Sequence, residues 1–211
     1  MGVVTPDLLL RAYATGLFPM AGSRESRGLH WLDPDPRGVM PLDGFRISRS
    51  LRRRILSGQF RITTDADFAG VLDGCADRPE TWINAEIRAL YLALHRRGRA
   101  HSLEAWAGDD LAGGVYGVTL GGAYFGESMF SRRTDASKVA LAYLVDRLRR
   151  GGFALFDTQF LTPHLASLGA VEIPREEYRR RLAAALLLPA DFDAVPVPSP
   201  QDLVQRSSQT S

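Results

Sequence analysis

Two runs of mostly apolar residues, 111–120 and 123–130, meet at Gly121-Gly122. Glycine reaches the positive φ that tight hairpin turns require, so this stretch is predicted to be an antiparallel hairpin. Directly behind it, helical periodicity over 135–150 stops at Gly151-Gly152, and 153–159 reads as a short strand with an apolar start. In front of it, 59–63 and 100–107 read as strands. Further helices are expected over about 5–15, 48–56, 65–75, 84–97, 163–168 and 175–187, the first with proline in its opening turn and the second capped by Ser48. These elements predict an α+β fold with a mixed sheet. The segment 21–44 carries Gly22, Gly28, Pro34, Pro36, Gly38, Pro41 and Gly44, and is expected to loop between a small N-terminal piece and the main body. From residue 195 onward Pro, Ser and Gln dominate, which predicts an unpacked tail.

A chain of 211 residues, 45% of them hydrophobic, builds a core without staples. Its single cysteine, Cys75, allows no intramolecular disulfide and suits a reducing cytoplasm; the expectation for it is a small buried hydrophobe. No stretch approaches the roughly 18 apolar residues a membrane span needs. Met1-Gly2 is followed by Pro6 where a myristoylation signal takes Ser or Thr, and no basic n-region marks an export signal. The formal charge is only +2, yet Arg46, Arg49, Arg52, Arg53, Arg54 and Arg61 follow one another with no acid between them. Such a local positive field is a candidate phosphate reader.

Several residues have the chemistry of a site. Asp157 and Gln159 share a face of the strand over 153–159, at its C-terminal end, where they are either a catalytic pair or caps on the following helix. Glu127 lies on a strand among apolar neighbours, where a carboxylate needs a partner: a bound cation or a nearby arginine. Ser128 lacks a His and Asp escort for a nucleophilic triad. His30, His95, His101 and His164 show no ligand spacing, so no metal site is expected. Trp31 and Trp82 suit either base stacking or rim packing. The run Arg149-Arg150-Gly151-Gly152-Phe153-Ala154 fits a coenzyme A pyrophosphate pattern in letters, but it closes a helix and enters a strand. The required loop leaves a strand and opens a helix, and the junction that does so, 131–137, has no glycine.

The ordered motifs Leu17-Phe18-Pro19, Trp31 with Asp33-Pro34-Asp35-Pro36-Arg37, Ile47-Ser48-Arg49-Ser50-Leu51, Thr81-Trp82-Ile83, Ala100-His101-Ser102-Leu103-Glu104, Gly126-Glu127-Ser128-Met129-Phe130-Ser131, Ala136-Ser137-Lys138 and Asp157-Thr158-Gln159 resemble those of leucyl/phenylalanyl-tRNA protein transferases. The resemblance runs without large gaps over about 5–187.

The resemblance implies a cytoplasmic bacterial enzyme that moves Leu or Phe, less readily Met, from aminoacyl-tRNA to the N-terminal Arg or Lys of acceptor proteins, marking them for N-end-rule degradation. It implies a small N-terminal domain (1–35) followed by an acetyltransferase-like (GNAT) domain (36–190), with no metal, no coenzyme A and no other cofactor; on composition, 191–211 is expected to be a flexible tail. By position, the family's catalytic residues fall on Asp157, Gln159 and Glu127. On this expectation Gln159 accepts an amine proton, Asp157 polarises it through a hydrogen bond, and Glu127 pairs with the acceptor's cationic groups. The aminoacyl pocket falls on Val115, Tyr124, Leu141, Leu144 and Phe156. The tRNA end falls against Trp82 and Met20, the latter standing where many members have Trp, and the acceptor phosphates fall on Arg49, Arg52 and Arg53. Other acyl or aminoacyl transferases on the same fold, and a non-catalytic RNA-binding protein, are the competing readings. The missing pyrophosphate loop argues against acyl-coenzyme A chemistry, and the presence of both Asp157 and Gln159 argues against a purely binding role.

Overall fold

The computed structural model describes residues 4–26 and 28–208. The Met1-Gly2 reading and the last three residues of the expected tail lie outside the described residues. Thr5 accepts a hydrogen bond from the Leu8 N–H and Pro6 fills the first turn, so α1 spans Pro6–Ala14 and ends at Gly16, whose φ is +88°. The short strands β1 (Phe18–Met20) and β2 (His30–Leu32) then pair antiparallel, and β3 (Arg37–Val39) enters the main sheet. β2 and β3 fall within 21–44, which the sequence predicts to loop. Strands of three residues carry no readable alternation, and prolines mask them further. The N-terminal piece has no core of its own: Leu9, Tyr13 and Phe18 share one buried cluster with Phe68, Ile87, Tyr91 and Phe125.

Side-chain caps set the next helices. Ser48 caps α2 (Arg49–Leu56), Asp67 caps α3 (Phe68–Ala76) and Asn84 caps α4 (Ala85–Arg96), with β4 (Arg61–Thr64) between the first two. Next come β5 (Ala100–Ala107), β6 (Asp110–Leu120) and β7 (Ala123–Ser131), and Gly121 makes the predicted turn at φ +55°. A Cβ there would lie 2.5 Å from the Leu186 carbonyl oxygen, so the turn is also a close approach. α5 (Ala136–Arg150), β8 (Leu155–Gln159), α6 (Pro163–Ser167), β9 (Val171–Ile173), α7 (Arg175–Ala185) and α8 (Pro200–Ser208) complete the order.

The main sheet runs β4-β5-β6-β7-β8-β3-β9, antiparallel throughout except for the parallel pair β7 and β8 joined by α5, so it is mixed as predicted. Residues of α2, α5 and α8 fill the core on one face, and residues of α1, α3, α4 and α7 fill it on the other. The tail expectation is corrected over the described residues. Phe192, Leu203 and Val204 are buried, and Arg206 forms a two-pronged pair with Asp146 at 2.7 and 2.9 Å. A polar composition concealed the few apolar anchors that are enough to dock the segment on α2 and α5.

One departure from sheet regularity positions everything that follows. The β7–β8 ladder covers only Ala123 with Leu155, Tyr124 with Phe156 and Phe125 with Asp157. Past those three rungs no further pairing holds the two parallel strands together.

Candidate active site between two parting strands

The opening between β7 and β8 is a cavity of about 250 Å³. Glu127 and Met129 line it from one strand and Phe156, Thr158 and Gln159 from the other. Val115 and Leu141 add to its apolar wall, and Met20 and Trp82 line it as well. Of the five residues expected to form an aminoacyl pocket, Val115, Leu141 and Phe156 line the cavity. Tyr124 and Leu144 do not: both are fully buried in the core, and Tyr124 packs edge-on behind Phe156 with ring centroids 5.2 Å apart. Gly126 makes room for this stack, because a Cβ there would meet the Phe156 ring at 2.6 Å.

Glu127 is held by tyrosines. The Tyr13 hydroxyl donates to Oε1 and the Tyr91 hydroxyl to Oε2, both at 2.6 Å, and the two hydroxyls lie 2.7 Å apart. Burial pushes the Glu127 carboxyl up to about 7; the two tyrosine hydrogen bonds pull against that shift, Asp157 adds to it and Arg37 opposes it. Burial, followed by the Glu127 charge, drives both phenols well above their ordinary value, so they remain donors. The arginine partner considered for Glu127 is therefore replaced by two neutral hydroxyls. Neither tyrosine was legible as a site residue, since each lies on a helix far away in sequence.

Asp157 is fully buried and already engaged. Arg37 grips it in a fork, Nε to Oδ1 at 2.9 Å and Nη2 to Oδ2 at 2.6 Å, and the Tyr178 hydroxyl donates to Oδ2 at 2.8 Å. Arg37 is itself fully buried between the rings of Phe18 and Tyr178. The expected hydrogen bond between the Gln159 carboxamide and Asp157 is not what holds the pair together. Asp157 Oδ1 accepts from the Gln159 backbone N–H at 2.9 Å, which fixes Gln159 at φ +58°. That left-handed turn breaks strand alternation, so shared-face reasoning fails at this position. The Gln159 Nε2 is buried with no hydrogen-bond partner among the described residues, as is the Thr158 hydroxyl. Buried polar groups without a partner are rare in folded chains, which singles out this part of the cavity wall as a candidate site.

On α2, Arg49, Arg52 and Arg53 are exposed, and none pairs with a carboxylate among the described residues; Arg54 instead reaches Asp135 and Gln59. Among the described residues, many arginines elsewhere, including Arg88, Arg97, Arg133 and Arg206, have an acid partner. α6 stands between this helix and the cavity: Thr162 and Leu165 line the cavity, whereas Ser167 and Leu168 line a groove beside the start of α2. Trp31 pairs with Pro19 across β1 and β2 and does not line the cavity. Asp65, His101 and Asp193 have potential ligand atoms within 4.8 Å of one another, a grouping that sequence spacing did not reveal. His101 Nδ1 is already hydrogen-bonded to Asp65 at 2.7 Å, and none of the three lines the cavity.

The family model described as leucyl/phenylalanyl-tRNA protein transferase matches residues 39–183, and the model of that enzyme's N-terminal domain matches 2–35. The chain belongs to the leucyl/phenylalanyl-tRNA protein transferase family. A member from Ruegeria pomeroyi is 66% identical over 206 residues, 98% of each chain. A member from Roseobacter denitrificans is 64% identical over 208 residues, 99% of each chain. One from Cereibacter sphaeroides is 66% identical over 210 residues, 99% of this chain and 98% of its own. Among solved structures, L-PGS from Bacillus licheniformis aligns with 76% of this chain and 55% of its own at a TM-score of 0.41 and 14% identity. Members of the leucyl/phenylalanyl-tRNA protein transferase family move Leu or Phe from aminoacyl-tRNA to the N-terminal Arg or Lys of proteins, and this chain is an aminoacyltransferase of that family. No described helix is long and apolar enough to cross a membrane.

Proposed function

We propose that the chain carries out its family's reaction in the cavity between β7 and β8, in the cytoplasm, with Leu or Phe as preferred donors and Met as a poorer one. The observation that carries this reading is the convergence, on one cavity, of Gln159, whose buried Nε2 has no hydrogen-bond partner among the described residues, and the tyrosine-held Glu127 carboxylate, with an apolar wall of Val115, Leu141 and Phe156. The wall takes the aminoacyl side chain, and the terminal adenosine of the tRNA lies against Trp82 and Met20. The unpaired arginines of α2, Arg49, Arg52 and Arg53, meet the acceptor phosphates.

The acceptor's α-amine attacks the ester carbonyl carbon, a C–N bond forms, and the ester C–O bond breaks to release the ribose hydroxyl, which takes the amine proton. The ester is already activated, so positioning supplies much of the rate, and the reaction needs no metal or cofactor. Gln159 Nε2 donates to the carbonyl oxygen as negative charge develops there, and the carboxamide oxygen receives a hydrogen bond from the amine. Glu127, near 7, is matched to an α-ammonium of about 7.7–8.0, so it pairs with the acceptor cation and takes its surplus proton. Asp157 is a positioning residue that fixes the Gln159 backbone.

Residues 36–190 are described on this reading as a GNAT-like domain behind an N-terminal domain of 1–35. Support comes from the β7-α5-β8 crossover with its parting parallel strands. The start of α5 suits coenzyme A poorly: Asp135, its N-cap, puts a carboxylate where a helix N-terminus would receive a pyrophosphate, and pairs with Lys138 at 3.1 Å. The test is transfer of labelled Leu or Phe from charged tRNA to a peptide beginning with Arg, beside the same peptide beginning with Ala. Transfer to the Arg peptide alone is expected; tight tRNA binding with no transfer to either peptide overturns the reading.

A further inference from the structure

The segment after α7 reaches the aminoacyl wall from behind. Phe192 is buried, and its backbone is pinned on both sides: its carbonyl accepts from Arg147 Nη1 at 2.5 Å, and the preceding Asp191 N–H donates to the Gly151 carbonyl at 2.9 Å. Its ring stacks on His101 at 4.2 Å and lies nearly parallel to Tyr124 at 6.0 Å. Tyr124 in turn stands edge-on to Phe156 at 5.2 Å, and Phe156 faces the cavity. Three rings thus connect the C-terminal segment to the surface on which a donor side chain would rest.

Tyr124 is confined on its other sides. A Cβ at Gly117 would lie 2.6 Å from Tyr124 Cζ, which shows how closely the ring presses on β6. Its hydroxyl is buried without a hydrogen-bond partner among the described residues, so no polar bond fixes its depth. Packing alone does, and Phe192 is one of the two rings packed against it, parallel to it where Phe156 stands edge-on. Interiors this close-packed transmit the loss of a ring to the next layer.

We infer that Phe192 is a specificity-determining residue: by holding Tyr124 forward it sets how far Phe156 stands into the aminoacyl pocket, and so how large a donor side chain the enzyme accepts. The inference rests on the pocket assignment above. Phe192 touches no substrate and acts through two rings, as a positioning residue. Shrinking it lets Tyr124 settle back and Phe156 follow, deepening the pocket in favour of Phe over Leu.

The experiment measures kcat/KM for Phe-tRNA and for Leu-tRNA with one Arg peptide, in the full chain carrying Phe192→Ala, Phe192→Leu or Phe156→Ala. Phe192→Leu keeps most of the buried volume and guards against a variant that does not fold. A methylene-sized misfit in an apolar pocket is worth roughly tenfold or more, and transmission through the two rings is expected to leave at least about a threefold rise in the Phe-to-Leu ratio in both Phe192 variants. A merely structural role lowers both donors by the same factor and leaves the ratio unmoved, which overturns the inference. If Phe156→Ala shifts the ratio and neither Phe192 variant does, this inference alone falls. If Phe156→Ala leaves the ratio unmoved as well, the pocket assignment falls and takes the inference with it.

Discussion

The Tyr13 hydroxyl donates to Glu127 Oε1 at 2.6 Å, so the first helix of the chain supplies one of the two bonds that hold the carboxylate in the cavity. Tyr91 supplies the other, and the phenol of Tyr116 is buried close to this group. The N-terminal piece is therefore part of the proposed active site as well as a cover for it.

A pH dependence follows from that arrangement. Pairing with the acceptor cation requires ionised Glu127, so kcat/KM is expected to rise along a limb centred near pH 7. The Tyr13 hydrogen bond lowers the carboxyl, and Tyr13→Phe is expected to move the limb to higher pH. Glu127→Gln should remove the limb at Glu127 while leaving that of the acceptor amine. An unshifted limb in Tyr13→Phe would show that a different group titrates.

The same carboxyl affects stability with a definite sign. Its folded value is raised, so between about 4.5 and about 7 the unfolded chain has lost a proton that the folded chain keeps, and stability falls as pH rises through that window. The full change is at most about 3 kcal/mol. Glu127→Gln is expected to flatten that part of the profile, read from denaturant midpoints at pH 4.5 and pH 8.

Asp157 and Gln159 are expected to separate in stability. Asp157→Asn leaves the Arg37 guanidinium buried without its closest counter-charge, with only Asp33 at 3.9 Å remaining among the described residues, and breaking such a pair costs about 3–5 kcal/mol. Gln159→Gly removes a side chain whose buried nitrogen has no partner and relieves a left-handed backbone, for a gain of about 1 kcal/mol, while transfer collapses. Thermal melts of the two variants, set beside their kcat, test this; similar melting temperatures would contradict the positioning role of Asp157.

Local signals were legible in the sequence and long-range ones were not. The Gly121-Gly122 turn, the Ser48 cap and the glycine stop at 151–152 each act within a few residues, and each was read correctly. β1, β2, β3 and β9 have three residues apiece and owe their existence to partners such as the pairing of Arg37 with Ile173. Arg37 and Asp157 are 120 positions apart and Tyr13 and Glu127 are 114 apart, so no spacing rule joins them. Tyr124 and Leu144 are fully buried and do not line the cavity, and nothing local in the sequence distinguishes such a residue from one a layer further out: Tyr124 lies behind Phe156, whose ring packs over Gly126.

The Gln159 carboxamide has two ends, and Gln159→Glu distinguishes them. If the nitrogen stabilises the developing oxyanion, the variant replaces a donor by a negative charge facing the charge that forms, and kcat at saturating tRNA should fall by about 10²–10³. If the oxygen's affinity for the amine proton dominates, the carboxylate is the better base and kcat holds or rises. Single-turnover rates with preformed complex separate these outcomes from any change in binding.

Binding of the tRNA body is expected to depend on α2 and not on the cavity. Arg52 is exposed and has no acid partner among the described residues, so Arg52→Ala removes a phosphate contact without leaving a buried charge behind. The variant should weaken charged-tRNA binding across tRNA sequences and reduce the slope of log affinity against log salt by about 1. Arg88 offers the control, because it is forked onto Asp73 at 2.6 and 2.9 Å and its charge is already answered. Arg88→Ala should leave the slope unchanged, and equal losses at the two positions would mean that the chain's overall charge, and not α2, steers the tRNA. At saturating tRNA, kcat of Arg52→Ala should match the unaltered chain, since α6 stands between this helix and the atoms that react.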